Sequence, residues 1–213
     1  PGWCSNADVT VNGGRAGDAP VPGTFYTIER EWKTGDKIVL QFEIPIKLDW
    51  DYSPGAGKGA ALVRGPLVFS LPIEGEWHYI GKEQPGPDNV NEAWNILPKD
   101  NALWNVALEI FLDDPDKSAK LVKLDVPESC RTWEHPPVGL VVNARRVPGW
   151  VTDRISGNPT TPAIPKSLGE VDKELLKVTL VPFGFTQLRM TVLPIIGVSA
   201  EEALDHGKHT ADI

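Results

Sequence analysis

Alternation with a period of two runs through most of this chain and constrains its fold more than any other feature. In Asp36-Lys37-Ile38-Val39-Leu40-Gln41-Phe42-Glu43-Ile44, the residues Ile38, Leu40, Phe42 and Ile44 fall on one side of an extended backbone, with Lys37, Gln41 and Glu43 opposite. Trp104, Val106, Leu108, Ile110 and Leu112 repeat the pattern. So do Val138 to Ala144, Leu176 to Leu180 and Leu188 to Val192. Such strands suit sheets with one wet face. Turn clusters separate them: Asn12-Gly13-Gly14, Thr34-Gly35-Asp36, Asp113-Asp114-Pro115-Asp116 and Gly157-Asn158-Pro159. Asn12-Gly13, following Asp8-Val9-Thr10-Val11, predicts a two-residue hairpin turn in which both central residues need φ > 0. Only Ser199-Ala200-Glu201-Glu202 has the capping pattern of a helix start, so 199–213 is expected to be a tail or short helix. The pattern predicts an all-β chain of β-sandwich, jelly-roll-like architecture.

Composition narrows the function classes. Lys and Arg number 21 against 29 Asp and Glu, a net charge of −8, which argues against nucleic acid or an anionic lipid surface as partner. The longest apolar stretch, about seven residues near Val192 to Val198, is far short of the ~20 that span a bilayer. The opening Pro1-Gly2-Trp3-Cys4 has no Met and no charged-then-apolar leader, as expected of a mature terminus, a domain or a cleavage product. Cys4 and Cys130 allow one disulfide at most and leave the compartment open, with a secreted or periplasmic location the working expectation.

A turn-rich tract runs from Glu74 to Pro98 and holds Gly75, Gly81, Pro85, Gly86 and Pro87. It places a boundary near its start, giving a first unit over 1–75, a second over 76–198 and the tail. The first unit supplies about four strands, whereas a sandwich uses about seven. It is therefore expected to be incomplete at its N-terminus and to contact something else: a missing chain segment, a neighbouring domain or a second copy.

Most chemical motifs dissolve on inspection. Gly55-Ala56-Gly57-Lys58-Gly59 lacks the first glycine and the hydroxyl of a phosphate loop and leads into a strand, so it is read as an inter-strand loop. His78, His135, His206 and His209 show no metal-ligand spacing. Asp113, Asp114 and Asp116 could supply oxygens to calcium but are read as a turn between two strands. No acid pair is assigned a catalytic role. Among eight tryptophans, Trp3, Trp32 and Trp104 are expected in the core. Trp50 and Trp77, near loops, and Tyr52 within Asp49-Trp50-Asp51-Tyr52, are the candidates for stacking against a sugar ring.

Several segments together resemble one family. Pro1-Gly2-Trp3, Val11-Asn12-Gly13, Gly23-Thr24-Phe25-Tyr26-Thr27-Ile28-Glu29-Arg30-Glu31-Trp32-Lys33-Thr34-Gly35-Asp36 and Ala61-Leu62-Val63-Arg64-Gly65-Pro66-Leu67-Val68-Phe69 resemble the middle β-domain of glycoside hydrolase family 127, the β-L-arabinofuranosidase-like proteins. Trp104-Asn105-Val106-Ala107-Leu108 and Val181-Pro182-Phe183-Gly184 with Leu188-Arg189 resemble the C-terminal β-domain. The resemblance covers roughly 1–195 and implies two consecutive β-sandwich domains. It also implies an upstream (α/α)6 barrel holding a zinc-bound cysteine nucleophile and a glutamate, none of which this chain carries. Neither Cys4 nor Cys130 matches the catalytic cysteine motif, so zinc is expected only in the barrel and no cofactor in this chain. The implied role is a non-catalytic accessory region bracing that barrel. A self-standing carbohydrate-binding module for plant-type oligosaccharides and a structural protein that self-associates are the alternatives. After Phe69 the family often has a cysteine and a glutamate, where this chain has Ser70-Leu71-Pro72.

Overall fold

The computed structural model describes residues 1–4, 6–50, 57–82, 92–128, 135–155, 158–160 and 163–197. The expected 199–213 tail, Cys130 and Tyr52 lie outside the described residues. The chain is all-β, with antiparallel sheets that curl in the manner of β-sandwich domains. The described helical turns are two short 3-10 segments, Pro115–Lys117 and Phe183–Phe185.

The N-terminal segment makes a small antiparallel sheet. Strands β1 (Asn6–Val11), β2 (Gly14–Arg15) and β3 (Ile38–Glu43) lie in the order β2-β1-β3. Thr10 pairs with Arg15 and Val11 with Gly14, leaving Asn12-Gly13 as the turn. Their φ values of 54° and 81° meet the requirement read from the sequence.

Asn12 also ties this turn to the next strand. Its backbone N–H donates to the Lys37 carbonyl at 2.9 Å, and its Oδ1 accepts from the Lys37 N–H at 2.9 Å. Its Nδ2 donates to Asp36 Oδ1 at 2.7 Å. Asp36 Oδ2 in turn accepts the Lys33 N–H at 2.9 Å across the turn containing Gly35, whose φ is 96°. Two separate motifs of the sequence thus form one clamp.

The larger sheet begins with β4 (Ile46–Trp50), β5 (Ala60–Arg64) and β6 (Leu67–Pro72). A hairpin follows, β7 (Gly75–Lys82) with β8 (Glu92–Pro98). Then come β9 (Val106–Leu108), β10 (Ala119–Lys123) and β11 (Val138–Arg146). A two-stranded excursion, β12 (Asp153–Ile155) with β13 (Asn158–Thr160), precedes β14 (Leu176–Pro182) and β15 (Arg189–Met190).

The order is β10-β11-β14-β6-β5-β4, with β9 added on β11 and β15 on β6. Strand β6 changes partner midway. Phe69 and Ser70 pair with β14, whereas Leu71 and Pro72 pair with β15. Bridges from Leu193 to Ala60 and from Ile195 to Leu108 tie the segment after β15 to β5 and β9. One continuous core results, reaching from Ile46 and Phe69 through Leu108, Leu140 and Leu180 to Ile195.

The sheet therefore crosses position 75/76, where the sequence places a boundary, because β6 pairs directly with β14. The turn-rich tract from Glu74 to Pro98 contains the β7–β8 excursion. Its ends are zipped by the Lys99 N–H to the Glu74 carbonyl at 3.0 Å and by a Lys99–Glu74 ion pair at 3.1 Å. Gly81, at φ 113°, sits at a shift of register between Tyr79 and Gly81, the work of a β-bulge.

The glycines of the discarded phosphate loop have a packing role. A Cβ on Gly57 would stand 1.9 Å from the Pro165 carbonyl oxygen, and one on Gly59 2.8 Å from that of Leu193. The backbone passes too close for any side chain, and the Gly57 N–H donates to the Ile164 carbonyl at 2.7 Å.

Candidate functional site

The cross-strand register of the small sheet sorts its residues by face. Ala7 opposes Phe42, Val9 opposes Leu40 and Val11 opposes Ile38, so one face is wholly apolar. Asn6 with Glu43 and Asp8 with Gln41 fall on the other. Val9 and Val11 are buried, but Ile38 and Leu40 on the edge strand are 50% and 53% exposed. The sequence orients β3 correctly, yet Ile38, Val39 and Leu40 all meet solvent. Residues 20–26 flank this face and leave an apolar groove of about 190 Å³, floored by Val9, Leu40 and Phe42. Phe25 is fully exposed and Val21 63% exposed.

At the opposite end the small sheet meets the larger one. Trp3 packs edge-on against Phe42, centroids 5.6 Å apart at 70°. Gly65 lies beneath Trp3; its φ of 58° opens the two-residue turn between β5 and β6, a place where a side chain would also press on Ile44. The Pro-Gly-Trp and Arg-Gly-Pro motifs thus meet at this junction.

The sugar-stacking candidates separate. Trp50, on β4 opposite Ala60 of β5, is 6% exposed and belongs to the buried core, so it offers little ring surface for stacking. Period-two continuation of Ile46 and Leu48 carries it inward, a signal that the loop-like residues after it obscured. Tyr52 lies outside the described residues. Trp77 is 54% exposed, on a strand. Register places Tyr79 and Trp94 on the same face, at 50% and 48% exposure; the latter two rings meet edge-on with centroids 5.1 Å apart. The sequence does not single out these two partners, because the glycines and prolines of the turn-rich tract mask the alternation of its strands.

Trp104 is partly buried against Trp150, centroids 5.2 Å apart, as expected of a core residue. Trp32 departs from expectation: it is 48% exposed, with the Arg30 guanidinium 5.2 Å from its ring. Its turn is held by the exposed clamp around Asp36 rather than by burial.

Charged groups do not assemble a reactive centre among the described residues. Asp116 accepts the Ile46 N–H at 3.1 Å, and Asp114 pairs with Lys117 at 2.9 Å, so this acidic segment serves as a turn. Hydrogen bonds from Asn12 and then from the Lys33 N–H, with Arg30 nearby, hold the Asp36 carboxyl below its ordinary pKa. Among the described residues, no three His, Cys, Asp or Glu side chains converge as a metal ion requires. The buried Cys4 thiol donates to the Asn6 carbonyl at 3.0 Å. Among the described residues this set does not fit a zinc-thiolate centre. No described helix is long and apolar enough to cross a membrane.

What the fold defines is a β-rich region of curled antiparallel sheets. Comparison with known proteins gives it a family likeness: residues 1–44 match the family described as β-L-arabinofuranosidase, GH127 middle domain. The match ends at Ile44, between the small sheet and β4. A solved structure described as a glycoside hydrolase superposes with a TM-score of 0.51 at 19% identity, covering 92% of this chain and 26% of that one. A GH127 β-L-arabinofuranosidase from Geobacillus stearothermophilus T6 gives a TM-score of 0.44 at 21% identity, covering 90% and 25%. The chain thus spans about a quarter of the length of these structures. No curated protein matches it. The resemblance to glycoside hydrolase family 127 read from the motifs is supported, as is that of a β-rich accessory region.

Proposed function

We propose that this chain is the non-catalytic accessory β-region of a family 127-like glycoside hydrolase. In this reading it braces an (α/α)6 catalytic barrel within a β-L-arabinofuranosidase-type parent. The observation that carries it is the apolar face of β1 and β3. Three apolar cross-strand pairs form in the segment matching the middle domain, yet Ile38 and Leu40 remain half exposed. A sheet this small needs a second layer for stability, and the natural cover is the remainder of the parent: preceding strands and the barrel beyond them.

Three results test the reading. The chain alone should not hydrolyse an aryl β-L-arabinofuranoside. An antibody raised against it should detect, in the source cells, a polypeptide several times larger than 23.3 kDa. Leu40→Asp in that larger polypeptide should lower both its thermal stability and its activity. A native species of the chain's own mass that cleaves the arabinoside unaided overturns the proposal.

A further inference from the structure

We propose that the β7–β8 hairpin carries a separate binding site for neutral oligosaccharides, formed by Trp77, Tyr79 and Trp94. Trp77 and Tyr79 are two residues apart on β7 and so share a face, while Trp94 lies directly opposite Tyr79 on β8. All three are about half exposed. Ile96, opposite Trp77, fills the fourth corner, and the charged Glu76 belongs to the other face, paired with Leu97. These four side chains are themselves uncharged, with a phenol as their polar handle.

The size of the patch decides between occupants. Aromatic side chains bury about 150–250 Å² each, so half exposure of three leaves roughly 300 Å². Two copies packed face to face would cover roughly 600 Å², well below the ~1,200 Å² of a stable protein interface. A pair of sugar rings needs no more than this. Their C–H faces are apolar enough to lie on an indole, and their hydroxyls remain in water or bond the Tyr79 hydroxyl at the rim. An anionic ligand has no cation to meet among these four side chains.

This inference does not rest on the accessory-region reading, since the hairpin is remote in sequence from the matched residues 1–44. The test uses the full chain with cellotetraose, xylotetraose and arabinotetraose as probes, by titration calorimetry and by saturation-transfer NMR. At least one probe should bind, its ring C–H protons receiving saturation from the aromatic protons. Trp77→Ala and Trp94→Ala should each weaken that probe about fivefold or more. Trp32→Ala, altering an exposed indole elsewhere, should leave it unchanged. Trp77→Phe, which keeps an aromatic face and spares the fold, should retain part of the affinity. Absence of binding by all three probes at about 10 mM overturns the proposal. So does affinity that survives both alanine variants, or a concentration-dependent dimer that Trp77→Ala abolishes.

Discussion

Truncating Phe69 to alanine probes whether the larger sheet is one cooperative unit. Phe69 is fully buried on β6, opposite Leu62 of β5 and Pro182 of β14. Removing a buried phenyl ring costs the transfer energy of its carbons and the cavity left behind, about 3–5 kcal/mol in all. That is a large share of the ~5–15 kcal/mol that holds a domain together. With a urea dependence of roughly 2 kcal/mol per molar, the midpoint should fall by about 2 M. Because a single core joins β4 to β6 with β9 to β11 and β14, amide exchange should accelerate together in β5 and β11. Phe69→Leu, expected to cost about 1–2 kcal/mol, repeats the measurement on a variant that stays folded. Exchange that rises in β5 while β11 and β14 keep wild-type protection would refute the single core and restore a division near residue 75.

Other expectations follow from particular contacts. Gly57→Ala drives a methyl group into the Pro165 carbonyl and should cost about 1–3 kcal/mol in chemical denaturation, with no lost ligand to explain it. The Asp36 carboxyl has a folded pKa below its ordinary 3.8, chiefly through Asn12 and then Lys33. Its contribution is complete above the ordinary value and is lost as pH falls through the lowered one. NMR signals of the Lys33 amide and the Asn12 side chain should shift together in that acidic window, and Asp36→Asn should remove the shift. Arg145 bonds Glu109 Oε1 at 2.5 Å and donates to the carbonyls of Asp172 and Lys173. Arg145→Ala should cost about 1–2 kcal/mol and speed protease cleavage near Lys173; lysine, lacking the planar fork, should not restore it.

Legibility in the sequence followed how local each determinant is. Asn12-Gly13 was readable because a two-residue turn imposes its backbone angles on those residues alone. The alternation from Val138 to Ala144 survives as β11, with Leu140, Val142 and Ala144 buried. The run from Trp104 to Leu112 keeps only Val106–Leu108 as strand, and all three are buried, which no alternating pattern foretells. Exposure of Ile38 and Leu40 was equally hidden, since burial depends on what lies over a face and not on the strand itself.

The β7–β8 hairpin was lost for another reason. Its glycines and prolines mark turns in general, but Gly75 is there because a side chain would strike Ile96, and Gly81 because of the bulge. Of the sugar-stacking candidates, Trp77 is exposed on this hairpin and Trp50 lies in the core, while Tyr79 and Trp94 beside Trp77 carry no signal that the sequence reading used. Resemblance motifs fared better, since Pro-Gly-Trp and Arg-Gly-Pro earn their residues through a packed junction.

The pairing of β6 with β14 has a consequence during synthesis. Ser70 meets Val181, a residue 111 positions later in the chain. At ~5–20 residues per second, a ribosome needs roughly 5–20 s to deliver it. Throughout that delay the nascent meander of β4, β5 and β6 waits with one flank open, beside identical meanders emerging from neighbouring ribosomes on the same message.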